Sequence, residues 1–164
     1  MVSIKQKKVN RQKNVVIVLG TLRSPGGAER QAIYLAQGLK QKGYDVKILS
    51  FGGGILEKKL VTEGIDYLVF QFNFLAPFKK KIIPLIKLTF LIRSLKPFAI
   101  IPFITVNSKY TGLIWKYTGA QFACWNQRDE GREVFGTKLE KYSINNLPAR
   151  SEEHTSELQS LLII

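Results

Sequence analysis

"NVVIVLGTLRSPGGAERQAIYLAQGLKQKGYDVKILSF", residues 14 to 51, decides the fold of this 164-residue chain. Residues 15 to 22 form an apolar, β-branched run ending in turn residues, which predicts a strand buried on both faces. From Ala28 the period changes. Ala32, Leu35, Ala36 and Leu39 recur at three- and four-residue spacing, while Gln31, Gln37, Lys40 and Gln41 fall elsewhere, which is the pattern of a helix with one apolar face. Gly43 stops that helix, and "DVKILSF" supplies a second apolar strand.

The rhythm continues outward. Three glycines at 52 to 54 lead into a short helix over 55 to 63, closed by Gly64, and "IDYLVF" makes a third strand. A basic, apolar helix over about 80 to 96 carries Pro84 near its start, where proline is tolerated, and ends at Pro97. "FAIIPFI" is a fourth strand whose pairing Pro102 interrupts. A helix over 108 to 117 follows, capped by Asn107 or Ser108, and then "AQFACWN" as a fifth strand. Thr137 and Glu140 have capping-box spacing for a last helix, which the tail beyond it cuts off. Short β–α alternation of this kind predicts an α/β fold, a Rossmann-like parallel sheet with helices on both faces.

Composition narrows the function classes. With 45% hydrophobic residues, the chain can bury one sizeable core. The single cysteine, Cys124, excludes an internal disulfide framework and a multi-cysteine metal site, and its apolar surroundings predict a buried, inert thiol. "RSEEHTSELQS", residues 150 to 160, resembles the translation of a common short-read sequencing adapter. Residues 150 to 164 are therefore expected to be a non-native tail on a longer reading frame. Without that tail's one arginine and three glutamates, the formal charge of +13 becomes +15 over residues 1 to 149. The tail also holds the chain's one histidine, so no histidine enters a catalytic argument. Residues 1 to 13 form a basic arm without a secretory signal, residues 14 to 149 the domain.

"RSPGGAER" at the mouth of the first helix is the leading candidate site. Glycines permit close approach, and a helix start presents free N–H groups that suit an anion, so Gly26, Gly27 and Ala28 could face a phosphate. The alternative is a plain tight turn with Glu29 complementing the helix dipole. The glycine spacing fails the G-x-G-x-x-G fingerprint, and no Gly-Lys-Ser/Thr of a P-loop follows.

With those residues quoted, "LGTLRSPGGAERQAIYLAQGLKQKGYDVKILSF" resembles the opening of GT-B glycosyltransferases of the group 1 or family-four kind, which carry G-G-A-E-R after the first strand. The resemblance runs over roughly residues 14 to 148, and "IIPFITVNSKYTGLIWKYTGAQFACWNQRDEG" is similar to the family's later strand–helix–strand passage. It implies the N-terminal, acceptor-side half of a two-domain enzyme. Such an enzyme moves a hexosyl or N-acetylhexosaminyl unit from a nucleotide diphosphate sugar to a polysaccharide or lipid-linked glycan, usually with retention, and without a dinucleotide or an obligatory metal. The nucleotide-holding C-terminal domain is then missing, and the chain alone is inactive.

By position, the resemblance assigns Gly26, Gly27 and Ala28 to the donor diphosphate or sugar. Glu29, Arg30, Thr105, Asn107 and Arg128 fall to the motif or acceptor side. Relatives that place a histidine after strand four are not matched: Thr105, Asn107 and Ser108 stand there. Glu29 and Arg30 could equally cap and pair locally, and Arg128 could pair with Asp129 or Glu130 at the surface.

Lys79, Lys80, Lys81, Lys87 and Arg93, set among isoleucine, leucine and phenylalanine, fit a helix on an anionic membrane surface or one that covers the core with its lysines in water. Together these imply a bacterial enzyme in the cytoplasm, peripheral on the inner face of the plasma membrane. No cofactor, metal or nucleic-acid partner is expected. The competing class is a basic Rossmann-like binding module without catalysis, for nucleic acid or a dinucleotide; neither stacking platforms nor a helix-turn-helix supports it.

Overall fold

The computed structural model describes residues 13 to 126 and 138 to 151. Its strands are β1 (Asn14–Leu19), β2 (Asp45–Ser50), β3 (Asp66–Val69), β4 (Ala99–Pro102), β5 (Phe122–Asn126) and β6 (Ala149–Ser151). The helices between them are α1 (Gly27–Gln41), α2 (Leu56–Thr62), α3 (Phe78–Ser94), α4 (Thr105–Thr118) and α5 (Lys138–Asn146). All strands pair in parallel, in the order β3-β2-β1-β4-β5-β6. The expected Rossmann-like α/β architecture is the observed one.

The run that predicted a central strand is central because both its faces are buried. Val15, Ile17 and Leu19 meet Ala32, Ile33, Ala36 and Leu39 of α1 and Leu56 and Leu60 of α2. Val16 and Val18 meet Leu85, Leu88 and Ile92 of α3, Tyr110 and Ile114 of α4 and Ile144 of α5. Period-2 alternation on the strand thus builds two cores back to back. The glycine stops hold for a conformational reason: Gly43 and Gly64 adopt φ of 83° and 62°. The N–H groups of Tyr44 and Ile65 then reach back to the carbonyls of Leu39 and Leu60, at 3.1 and 2.8 Å.

Several local expectations are corrected. β1 ends at Leu19 because the Leu22 N–H leaves the ladder for the Gly52 carbonyl, at 2.9 Å. Pro84 lies inside α3, six residues beyond Phe78, where it deletes the bond to the Lys80 carbonyl rather than occupying a free first-turn position. Pro102 closes β4 opposite Val18 instead of interrupting it. α4 starts at Thr105, so neither Asn107 nor Ser108 caps it; both are buried in its first turn. The last helix is not cut off. It ends at Asn146 and is followed by β6, whose backbone pairs Ala149, Arg150 and Ser151 with Cys124, Trp125 and Asn126. Glu140 accepts a 2.6 Å bond from Lys109 of α4, and Thr137 lies outside the described residues. Lys13, the last residue of the basic arm, sits over the Phe98 ring at 4.4 Å.

Candidate functional site

The neighbouring strands β1 and β4 send their helices to opposite faces of the sheet: α1 packs in one core and α4 in the other. A crevice opens at the C-terminal ends of such a strand pair, and ligands of open α/β sheets bind there. The residues at this point are Gly20 to Ala28 on one side and Phe103 to Asn107 on the other.

On the first side, Gly26 is the N-cap of α1, with φ −72° and ψ 176°. That conformation is open to any residue, so backbone freedom is not why glycine stands here. A side-chain carbon on Gly26 would meet only the mobile Glu29 carboxylate, which folds back over it, and one on Gly27 would meet nothing within 4 Å. By contrast, a Cβ at Gly54 would run into the backbone of Leu22 and Arg23. The fold demands glycine at 54 and not at 26 or 27, a distinction that sequence reasoning missed.

The amide set is also smaller than expected. Gly26 N–H is committed to the Ser24 carbonyl at 2.9 Å, which leaves those of Gly27 and Ala28 without an acceptor among the described residues. Arg30 turns its Nε to the Pro25 carbonyl at 3.2 Å, and so braces the turn from outside.

On the second side the chain enters α4 through Ile104, at φ 66° and ψ 156°. A β-branched residue in this region stores about 1–3 kcal/mol of strain. Thr105 is half-buried behind it. Asn107 is wholly buried; its Nδ2 donates to the Phe103 carbonyl at 2.6 Å, and its Oδ1 is the one buried side-chain oxygen among the described residues with no hydrogen-bond partner. Both side-chain ends lie under 4 Å from where a Cβ of Gly20 would sit, so Asn107 reaches across to the start of the β1–α1 loop. An unpaired buried amide oxygen costs about 1–3 kcal/mol. Arg128 lies outside the described residues.

The rim is braced by a cluster not foreseen from sequence. Phe51, Phe72, Phe74 and Tyr110 stack with ring centroids 4.9 to 5.7 Å apart. Lys81 donates to the Tyr110 hydroxyl at 2.8 Å and to the Phe74 carbonyl at 2.5 Å. It is thereby removed from the solvated lysines with which the sequence grouped it. Lys79, Lys80, Lys87 and Arg93 are exposed. No helix among the described residues is long and apolar enough to cross a membrane. Burial pushes the Cys124 thiol up to about 12, in keeping with the inert role expected of it.

No protein-family model matches the chain, and neither does any curated protein. Solved structures do. A glycosyltransferase from Rickettsia africae is similar at 24% identity and a TM-score of 0.57, over 69% of this chain and 30% of that one. MurG of Acinetobacter baumannii is similar at 20% and 0.53, over 68% and 34%. HepE of Anabaena, solved in complex with UDP and glucose, is similar at 15% and 0.58, over 80% and 34%. The chain thus spans about a third of the length of these proteins, and the shared feature is the fold: one Rossmann-like unit of the GT-B architecture.

Proposed function

We propose that the chain is the acceptor-side half of a glycosyltransferase that moves a sugar from a nucleotide diphosphate sugar to a glycan or lipid-linked glycan, with retention. The observation that carries this reading is the Gly26–Gly27 turn. Two glycines stand at the positive end of a 15-residue helix where backbone conformation does not ask for them: Gly27 lies beneath open space, and Gly26 is covered only by the Glu29 carboxylate at the end of a flexible side chain. A residue type the fold does not need is explained by something outside the fold that must come close. The free N–H groups of Gly27 and Ala28, fixed in direction by α1, suit the negative charge that develops on a departing nucleoside diphosphate. The donor nucleotide itself would be held by a second Rossmann-like half facing this rim. Without it, the chain would not turn over. Asn107, being buried, acts as a positioning residue: it props the β1–α1 loop from below, with one acceptor left for a buried water.

The test uses the longer reading frame expected downstream of residue 149. Expressed whole and given a panel of nucleoside diphosphate sugars, it should release nucleoside diphosphate. Gly27→Trp should then lower kcat/KM on the order of a hundredfold or more, as loss of fixed transition-state donors does, while leaving the circular dichroism unchanged. Full turnover by that variant would overturn the reading.

A further inference from the structure

The glycine turn is held from a neighbouring loop. Between Leu19, where β1 ends, and Gly27, where α1 begins, Leu22 is the one buried residue. Both of its backbone groups are spent on the segment after β2: its N–H donates to the Gly52 carbonyl at 2.9 Å, and its carbonyl accepts from the Leu56 N–H at 3.0 Å. Gly54 lies so close to Leu22 and Arg23 that no side-chain carbon fits between them. That segment is braced in turn. The Glu57 carboxylate accepts from the Gly54 N–H at 2.8 Å through one oxygen and from the Tyr67 hydroxyl of β3 at 3.0 Å through the other. Contacts therefore run from β3 through Glu57 and Gly54 to Leu22, and from Leu22 into the turn.

Beyond Leu22 the path is short and stiff. Arg23, Ser24 and Pro25 are exposed, but proline fixes its own φ, and the Gly26 N–H returns to the Ser24 carbonyl at 2.9 Å. α1, with Ala32, Ile33 and Ala36 in the core, sets one end of the turn, so the clamp on Leu22 sets the other. We propose that Gly54 and Glu57 are positioning residues: through Leu22 they fix where the Gly27 and Ala28 amides stand, and so serve sugar transfer without touching a substrate. Only that service to catalysis rests on the sugar-transfer reading; the mechanical coupling does not. If Glu57 merely capped α2, its loss would lower stability and reach no further.

The coupling is read in ¹⁵N spectra of the 164-residue chain with no donor present. Glu57→Ala and Gly54→Ala should move the Gly27 and Ala28 amide resonances. Glu57→Gln, which still accepts from Gly54 and can donate to the Tyr67 oxygen, should return them to the parent positions. Gly112→Ala is the control, since its new carbon would lie 2.8 Å from the Ser143 carbonyl oxygen, across the α4–α5 contact. It should lower stability and leave both resonances in place. Should Gly54→Ala fail to fold, the two Glu57 variants decide. In the longer two-domain protein, Glu57→Ala should lower kcat/KM on the order of a hundredfold, as a misplacement of about 1 Å does, with Glu57→Gln near the parent. Three results would overturn the proposal: unmoved Gly27 and Ala28 resonances in Glu57→Ala, equal movement in Gly112→Ala, or full turnover by Glu57→Ala. A parent that turns over no sugar nucleotide would strike the sugar-transfer reading, and the donor-free spectra would still decide the coupling.

Discussion

At Gly27 and Gly54 the same residue type answers opposite demands. Gly54 is fixed by backbone a carbon–carbon contact away, so Gly54→Ala should destabilise the chain by about 1–3 kcal/mol in urea unfolding, as overpacking does. Gly27→Ala should leave stability unchanged or raise it by up to about 1 kcal/mol, since alanine suits the first turn of a helix and narrows the unfolded ensemble. A large loss at position 27 would mean that the fold itself requires the glycine. Cys124 gives a pH-dependent check. Its thiol ionises near 9 when exposed and is pushed up to about 12 when buried. The stability it supplies is therefore whole below about pH 9 and is lost as pH rises toward 12, by at most about 1.4 kcal/mol per pH unit. Relative to Cys124→Ala, the parent should weaken as pH rises from about 9 toward about 12; parallel behaviour would show that the thiol is not buried. Of these residues the glycine pair was legible as a motif. Its true distinction, glycine without an internal reason, was not, because open space is a property of the folded surroundings.

The elements divide by how local their causes are. β1, α1 and β2 were legible since each carries its own periodicity and the glycines that end α1 and α2 need only their own φ. The start of α4 was not: Asn107 has the chemistry of a cap, but the exit of β4 through Ile104 begins the helix at Thr105, three residues before the expected start, and buries Asn107. β6 was missed because three residues cannot show a period; its partner strand alone defines it. α3 carries the remaining conflict, a proline inside its second turn. Restoring the missing N–H with Pro84→Ala should stabilise the chain by about 1–3 kcal/mol. A fall in the urea midpoint would show that Pro84 shapes α3 in a way its neighbours depend on.

For the whole molecule, fold class followed from β–α alternation, but the strand order did not. Pairing β1 with β4 joins residues more than eighty positions apart, and no local pattern records it. That pairing brings Gly20, at the start of the β1–α1 loop, beside Ile104 and Asn107 at the entrance to α4.

The central claim is that the Gly27 and Ala28 amides await an anionic sugar nucleotide. The most direct measurement is a titration of the ¹⁵N-labelled two-domain protein, with the proposed nucleotide-holding half present, against UDP-glucose, followed by amide chemical shifts. The account predicts that the Gly27 and Ala28 resonances move first and most, and that Gly27→Trp abolishes the response. Shifts confined to the lysines of α3, with the α1 amides unmoved, would contradict it.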